Sequence, residues 1–176
     1  MNERFRWDYL ASPPARFAPI VREMARRVVA PLSPERGSER VFLARKPSAH
    51  RRMVNDRVIE AVAQARGFRI VYPEDLDFLE QAHLLYDAQF VAGPEGSAFF
   101  LGFFSQPGTR ICILDHPHTA GLPLLTGPLG AIGVETVVFT GPYSRIHDEW
   151  PHMSDYEIDE VAFCRFLDRW LRDNTP

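Results

Sequence analysis

The chain has 176 residues, of which 45% are hydrophobic and 24% charged, and it carries a formal net charge of −3. This composition is ordinary for a soluble globular protein, and the charge gives no overall attraction to nucleic acid or to an anionic membrane. No apolar run is long enough to span a membrane, and the charged N-terminus has no signal-peptide core. We therefore expect a cytoplasmic protein in which residues 1–176 form one domain.

The chain contains only two cysteines, and their surroundings indicate free thiols. Cys112 lies in an apolar run typical of a strand, and Cys164 lies in a segment typical of a helix. Two cysteines are too few for a disulfide framework or for a cysteine-rich zinc site. We predict two buried free thiols, in agreement with a reducing compartment.

The first part of the chain predicts a helix and a linker. Residues 16–29 have apolar side chains at helical spacing, with Ile20 and Met24 on the stripe that we expect to face inward and the arginines outside it. Residues 31–39 are rich in proline, serine and glycine, which is typical of a loop. Residues 1–40 are therefore expected to form an N-terminal helix and linker that precede the main part of the fold.

Strands and helices then alternate with short connections. The predicted strands cover residues 41–44, 68–72, 90–92, 111–114 and 134–140. The predicted helices cover residues 53–66, 76–86, 98–104 and 157–172, and a short helix is also allowed within residues 120–133. The segment 141–156 is polar and aromatic and predicts a loop. This alternation predicts an α/β fold with a Rossmann-like parallel sheet flanked by helices.

The apolar stripes of these helices indicate which side chains face the sheet. Gly67 is expected to end the second helix as a C-cap, because glycine readily adopts a positive φ. The side chains expected to face inward are Val54, Val58, Ala61, Val62 and Ala65 in the second helix, Leu76, Leu79, Ala82, Leu85 and Tyr86 in the third, and Ile158, Val161, Ala162, Phe166, Leu167 and Trp170 in the closing helix.

A glycine-containing turn follows the third predicted strand. Gly93, Pro94, Glu95 and Gly96 form the turn, and Ser97 is placed to cap the apolar helix after it. A helix that begins at such a turn presents free backbone N–H groups and a partial positive charge, which suits a phosphate group. A plain connection between a strand and a helix is the alternative, because many such turns bind nothing.

A basic loop follows the first predicted strand. It contains Arg45, Arg51 and Arg52, and Asn55 and Asp56 come shortly after it in the next helix. The carboxyl ends of neighbouring parallel strands form the ligand-binding edge of open α/β sheets. Arginines opposite the glycine turn would form a clamp for a diphosphate, with polar contacts added by Asn55 and Asp56. A solvated basic loop is the alternative.

Three carboxylates are candidates for catalysis. Glu95 lies in the glycine turn, where its charge would repel a phosphate, so its carboxylate could instead face a hydroxyl group or act as a base. Asp115 ends the fourth predicted strand and Asp56 begins a helix next to the basic loop. The residues alone leave open which of the three is the base.

Histidines in two segments raise the question of a metal site. His116 and His118 flank Pro117 next to Asp115, but no third ligand is evident, so we expect no metal and no cofactor. His147, Asp148 and His152 lie in the segment 141–156, from which they could reach the cleft from the far side. A surface loop without a function is the alternative for this segment.

Several blocks of the sequence, taken in order, resemble the catalytic region of family 61 glycosyltransferases. That family usually has Ser-Arg, a further Arg and Asn-Glu in its first block, and Gly-Pro-His-Gly-Ala in a later one. The matching blocks here are Ala44-Arg45, residues 51–56, Gly67-Phe68, residues 73–76, residues 91–98, and Pro107-Gly108 with the strand that ends at Asp115. The resemblance covers roughly residues 41–141, and residues 142–176 add a loop and a closing helix.

The resemblance implies the nucleotide-sugar-binding half of a two-domain, GT-B-type glycosyltransferase. The family transfers a sugar with inversion from a nucleotide sugar, often linked to UDP, to a polysaccharide or other glycan acceptor. By position, Arg45, Arg51, Asn55 and residues 93–97 would hold the diphosphate and nucleoside of the donor. Asp115 would help to shape the site, and fixed arginines could stabilise the departing diphosphate without a metal.

Two residues depart from the family pattern. Glu95 stands where the family usually has histidine, and Asp56 stands where glutamate is usual. A complete enzyme of this type needs a further domain for the acceptor, and residues 1–31 are expected to be too short for one, so a homo-oligomer or a partner subunit is plausible. The alternatives are a non-catalytic module that binds a nucleotide or phosphosugar, and an interaction protein whose basic loop binds an acidic partner.

Overall fold

Five parallel strands form a single sheet in the computed structural model, which describes residues 18–29, 39–117 and 122–172. The strands are β1 (Glu39–Leu43), β2 (Arg69–Val71), β3 (Ala88–Pro94), β4 (Arg110–Asp115) and β5 (Glu135–Thr140). Their spatial order is β2-β1-β3-β4-β5, and each neighbouring pair is parallel. The predicted α/β fold with a Rossmann-like parallel sheet is confirmed.

Helices cover both faces of this sheet. They are α1 (Ala18–Val29), α2 (Asp56–Gln64), α3 (Phe78–Asp87), α4 (Leu122–Ala131), α5 (Glu160–Trp170) and a 3₁₀ helix over Ser97–Phe104. Successive strand residues point to opposite faces, so the sheet has two apolar cores. The first core joins Val41, Val91 and Ile111 to α3, α4 and the 3₁₀ helix. The second joins Phe42, Ala92 and Cys112 to α2 and α5.

The boundaries of α2 and α3 follow local hydrogen bonding. Gly67 has a positive φ of 78° and ends the turn after α2, as predicted. The N-cap Asp77 and Glu80 form a capping box, so α3 begins after Leu76 rather than at it. The helix predicted from residue 53 begins at Asp56, because Met53 forms an isolated bridge with Tyr156 and the Val54 N–H donates to the Tyr156 carbonyl.

Several predicted helix faces are wrong. Ile20 and Met24 of α1 are 58% and 65% exposed, whereas Ala25 and Val29 are buried. Arg22, expected outside the apolar stripe, donates from Nη1 to the Ile132 carbonyl at 3.0 Å. The other residues predicted inward but found exposed are Val54, Val58, Ala61, Ala65, Leu79, Val161 and Ala162. These helices have apolar residues on more than one side, so their stripes did not determine which side meets the sheet.

The segment predicted as a loop over residues 141–156 contains a small antiparallel pair. Its strands are β6 (Tyr143–Arg145) and β7 (Asp155–Tyr156), and a 3₁₀ turn over Pro151–Met153 lies between them. Both strands are shorter than the runs from which a strand can be predicted. The side chain of Tyr156 is buried, and its hydroxyl group donates to the Leu114 carbonyl at 3.0 Å, so this hairpin is attached to the carboxyl end of β4.

The cysteines partly follow the expectation. Both are free thiols, and Cys112 is buried in the second core as predicted. Cys164 is only partly buried, and its Sγ accepts a hydrogen bond from Arg66 Nη2 at 2.6 Å, so the prediction of a buried thiol is wrong for this residue. No helix in the described ranges combines the length and the apolar character that crossing a bilayer requires. Of the linker predicted over residues 31–39, residues 31–38 lie outside the described residues, and Glu39 begins β1.

Candidate functional site

A cavity of about 220 Å³ lies where the strand order of the sheet reverses, between β1 and β3. In open α/β sheets this point forms a crevice at the carboxyl ends of the strands, and ligands bind there. Arg45, Arg51, Arg52, Asp56 and Pro94 line it, so five of the predicted site residues meet in one place. We call this space the β1–β3 cavity.

Arg45 lines the β1–β3 cavity and contains a buried donor without a protein partner. It follows β1 directly, because the Ala44 N–H still bonds to the Val71 carbonyl of β2 at 2.7 Å. Its Nη1 atom is buried and has no hydrogen-bond partner. A buried donor without a partner costs about 1–3 kcal/mol of stability, so an acceptor from a ligand would relieve this cost. Arginine also offers the fork of donors that suits a phosphate or carboxylate.

Arg51 is held in the cavity by its backbone. Its φ is 54°, a left-handed conformation that is uncommon outside glycine, and its N–H donates to the Met153 carbonyl at 3.0 Å. Such strain costs about 1–3 kcal/mol and often marks a functional position. The guanidinium forms an ion pair with Glu95, Nη1 to Oε2 at 2.5 Å, and both side chains are mostly buried. Arg51, one of the predicted phosphate-binding residues, is thus already paired with a carboxylate of the protein.

Arg52 is paired with a carboxylate of the protein. Its Nη2 and Nε lie 2.6 and 3.1 Å from Asp155 Oδ2, and its backbone N–H donates to Asp155 Oδ1 at 2.9 Å. The Arg52 side chain lowers the pKa of Asp155, mainly through these hydrogen bonds. Arg52 lines the cavity, but its contacts attach the basic loop to β7.

Asn55 and Asp56 have different surroundings. The Asn55 Nδ2 donates to the Ile158 carbonyl at 2.7 Å, and its Oδ1 accepts from the Ile158 N–H at 3.2 Å. This amide therefore fastens the start of α2 to the segment that precedes α5. Asp56 lines the β1–β3 cavity, and its Oδ1 accepts from the Arg57 N–H at 2.7 Å.

The glycine turn differs from the prediction. Gly93 and Pro94 belong to β3, and the helix after them is a 3₁₀ helix in which Ser97 is the first residue and makes no capping hydrogen bond. The predicted Ser97 cap is therefore wrong. A Cβ atom at Gly93 would lie well inside van der Waals contact with the Leu43 carbonyl oxygen, whereas Gly96 has no such close neighbour. Gly93 thus lets β1 and β3 approach each other beside the cavity.

Asp115 ends β4 as a buried carboxylate with an altered affinity for its proton. Burial is the main cause that raises its pKa to about 7, and the negative charge of Glu95 contributes to this rise. A hydrogen bond from the His116 N–H at 2.7 Å and the positive charge of Arg51 act in the opposite direction. Asp115 therefore titrates near neutral pH and shares its electrostatic environment with the Arg51–Glu95 pair.

The sequence model of the glycosyltransferase 61 family matches residues 6–112, which is well over half of the 176 residues. The chain belongs to glycosyltransferase family 61. A glycosyltransferase function, in general terms, follows from this membership. Among curated proteins, none matches the chain.

Part of the candidate site lies beyond the residues that the family 61 model matches. Arg45, Arg51 and Glu95 lie within the matched residues, which end inside β4 at Cys112. Asp115, the β6–β7 hairpin and α5 lie beyond them. These later parts of the site lie outside the family match, so only the structure of this family 61 chain describes them.

Tyr156 is a residue of the site that the sequence did not indicate. Burial raises the pKa of its hydroxyl well above the usual range, and the charges of Asp115 and Glu95 add to this effect, while Arg51 and Arg45 oppose it. The Tyr156 phenol thus lies among the same charged groups as the β1–β3 cavity. The polar sequence around Tyr156 indicated only a loop. Tyr156 reaches the site because β7 pairs with β6.

None of the described histidines of this family 61 chain is among the residues that line the β1–β3 cavity. His116 is buried, with its Nε2 3.2 Å from the His152 carbonyl and 3.7 Å from Asp115 Oδ1. The late segment therefore does reach the carboxyl edge of the sheet. His118 lies outside the described residues. In the described parts of the chain, no three His, Cys, Asp or Glu side chains form a group that could hold a metal ion.

Proposed function

We propose that the chain transfers a sugar with inversion from a nucleotide-diphosphate sugar, UDP-linked as the family resemblance implies, to a glycan acceptor. The observation that carries this proposal is Arg45, whose side chain lines the β1–β3 cavity and has a buried Nη1 atom without a protein partner. A diphosphate is an acceptor-rich anion of the kind that this group lacks. The family membership supports the transfer reaction, and the location at the switch of strand order supports nucleotide binding.

Arg45 and Arg51 would bind the diphosphate from one side. Charge accumulates on the departing diphosphate as the bond to the sugar breaks, so a donor fixed at this place stabilises the transition state more than the ground state. The loss of one such donor typically costs about 2.7–4 kcal/mol of the activation free energy. Two arginines held by β1 and by the strained loop fit this role.

Glu95 is the base that we propose. In the unliganded protein its carboxylate is paired with Arg51, and a phosphate oxygen that takes over Arg51 would release it. The acceptor hydroxyl then gives its proton to Glu95 as its oxygen bonds to the anomeric carbon. The bond from that carbon to the diphosphate breaks with its electron pair on the diphosphate, and the single displacement inverts the configuration. Asp115 is buried beside Glu95 and sets its charge environment, while Asp56 lines the cavity as a further candidate base.

A non-catalytic binding module is the second candidate function. The Arg51–Glu95 ion pair favours it, because a mostly buried carboxylate at the phosphate-binding group weakens the attraction for an anion. Such a module would bind a nucleotide or a phosphosugar without transferring the sugar.

Thermal unfolding with nucleotides and an assay of released UDP distinguish these functions. We would measure unfolding with UDP, GDP and CDP and their common sugar conjugates, for the wild type, Arg45→Ala and Arg51→Ala. Arg69→Ala is the matched control, because Arg69 has an exposed side chain at the start of β2 and pairs with Glu39. A ligand at a hundred times its dissociation constant adds about 2.7 kcal/mol to the free energy of unfolding.

Three outcomes are decisive. Stabilisation by one nucleotide together with release of that nucleotide from its sugar conjugate, both lost in the two cavity variants and kept in Arg69→Ala, supports the transferase. Stabilisation without release or transfer supports the binding module. The absence of stabilisation by every nucleotide contradicts both.

A further inference from the structure

A second cavity of about 350 Å³ lies where the basic loop meets the β6–β7 hairpin. We call it the hairpin cavity. Its polar lining consists of His50, Arg145, His147, Asp148, Glu149 and Asp155. All of these except His50 come after residue 112, where the family match ends.

The hairpin cavity has a fixed framework. The His147 N–H donates to Ser154 Oγ at 2.9 Å, and Ser154 is buried. The Trp150 N–H donates to His147 Nδ1 at 3.1 Å, so the neutral His147 ring carries its proton on Nε2. The His50 ring meets the His147 ring edge-on at a centroid distance of 5.7 Å. These contacts hold the polar groups of the two loops together.

The lining offers both donors and acceptors without a dominant charge. Asp155 is neutralised by Arg52, which leaves the guanidinium of Arg145 with the carboxylates of Asp148 and Glu149. A hydroxyl group both donates and accepts hydrogen bonds, so a polyhydroxylated, uncharged molecule can use such a mixed set. An anion would meet the two carboxylates, and a cation would meet Arg145.

Trp150 is an exposed aromatic residue whose backbone N–H contacts His147 of this lining and whose ring meets the His152 ring edge-on. It follows Glu149 in the chain and is 56% exposed. A large, rigid aromatic ring with a polar N–H is a common contact surface at binding sites, because it buries much area at a small cost in conformational entropy. The exposed ring is suited to the apolar face of a sugar.

The hairpin cavity adjoins the β1–β3 cavity through the basic loop. The Arg51 N–H bonds to the Met153 carbonyl at 3.0 Å, and Arg52 is paired with Asp155, which lines the hairpin cavity. Arg51 and Arg52 both line the β1–β3 cavity as well. Two molecules bound in the two cavities would therefore lie on either side of Arg51 and Arg52.

We propose that the hairpin cavity is a subsite for the glycan acceptor, and that it binds an uncharged saccharide with Asp148 at its hydroxyl groups and Trp150 against its ring. The assignment to the acceptor rests on the proposed transferase function. An acceptor subsite would then be carried by this chain, on a segment outside the matched family region.

Saturation-transfer NMR with simple glycosides tests this proposal. The probes are the methyl glycosides of β-glucose, β-galactose, α-mannose and β-xylose at millimolar concentration, each with the wild type, Trp150→Ala and Asp148→Ala. Phe100→Ala is the matched control, because Phe100 is another exposed aromatic residue and lies in the 3₁₀ helix on the first core side of the sheet. Stabilisation by UDP is measured on the same samples.

We expect saturation transfer to at least one glycoside, reduced at least about fivefold in Trp150→Ala and unchanged in Phe100→Ala. Stabilisation by UDP should remain in both the Trp150 and Asp148 variants. An absence of saturation transfer, or an equal signal in the wild type, Trp150→Ala and Asp148→Ala, overturns the saccharide site, even where UDP stabilises the protein. Saturation transfer that depends on Trp150, without stabilisation by any nucleotide, supports the saccharide site and contradicts the proposed donor site.

Discussion

The basic loop and the β6–β7 hairpin meet at one edge of the sheet, and their polar groups differ in how completely they are paired. In the hairpin, the buried Asp155 accepts three hydrogen bonds from Arg52, and Tyr156 donates to the Leu114 carbonyl. In the loop, Arg45 has a buried Nη1 atom without a partner, and Arg51 is strained and paired with Glu95.

This difference separates residues that stabilise the fold from residues that are free to bind. A fully paired buried group adds stability and has no further capacity for a ligand. An unpaired or strained group lowers stability, and it is retained at sites where a ligand or a reaction makes use of it. Substitutions in the hairpin should therefore lower the free energy of unfolding, and substitutions in the loop should lower binding and activity.

Arg45→Met gives the largest expected effect and the most direct test of this contrast. We expect kcat/KM for the nucleotide-sugar donor to fall about 10²–10³-fold, because a donor to the departing diphosphate is lost. The free energy of unfolding should stay the same or rise, since the unpaired buried Nη1 is replaced by an apolar group. Assays of UDP release and urea unfolding measure the two quantities. A drop of more than about 1 kcal/mol in stability would show that Arg45 has a structural role.

Gly93→Ala should lower the free energy of unfolding by about 2–3 kcal/mol and should also disturb the β1–β3 cavity. The added Cβ meets the Leu43 carbonyl oxygen, so β1 and β3 must separate next to the β1–β3 cavity. Gly130→Ala in α4 is the control, because its Cβ would have no neighbour within 4 Å and should add about 0.4–1 kcal/mol. Equal unfolding midpoints for the two variants would contradict the close approach at Gly93.

The sequence predicted the sheet and the loops at its carboxyl edge well. Hydrophobic runs separated by glycine and proline located all five strands, and parallel strands place their following loops together. Arg45, Arg51 and Asp56 consequently meet in one cavity, as expected from their positions after β1. The strand order, with its reversal between β1 and β3, needed the structure, because periodicity does not determine which strands are neighbours.

The contacts that define the site could not be predicted in the same way. Asn55 and Arg52 bond to residues about a hundred positions later in the chain, Ile158 and Asp155, and their predicted contacts with a ligand stay a prediction. No local pattern predicts a pairing at this distance. The same reason explains why Tyr156 was missed and why β6 and β7 were predicted as a loop, since each short strand exists only through its partner.

Removal of the Arg52–Asp155 pair tests whether the hairpin contacts stabilise the fold. Asp155→Ala should lower the free energy of unfolding by about 1–2 kcal/mol, Arg52→Met should lower it by less, and the double mutant should show a positive coupling energy. Asp155 is buried, while the Arg52 side chain is half exposed, which limits the effect. Chemical unfolding of the four proteins in the cycle measures it.

The exposed Arg69–Glu39 pair is the control for this cycle, with a separation of 2.8 Å and both side chains largely in solvent. Its coupling energy should be close to zero, because exposed ion pairs contribute little. Equal coupling in the two cycles would mean that the Arg52–Asp155 pair does not anchor the basic loop. Stabilisation by UDP in Arg52→Met would further show that this arginine acts on the fold and not on the ligand.

Asp115→Asn should remove a pH dependence that the buried carboxylate gives to the wild type. The folded-state pKa of Asp115 is about 7, whereas the ordinary value is 3.8, so between these values the folded state keeps a proton that the unfolded state releases. The free energy of unfolding therefore falls as pH rises across this window, by at most about 1.4 kcal/mol per pH unit. Urea unfolding at pH 5, 6 and 7 should show this fall in the wild type relative to Asp115→Asn. Parallel curves would mean that Asp115 is ionised throughout this range and that burial does not raise its pKa in the folded protein.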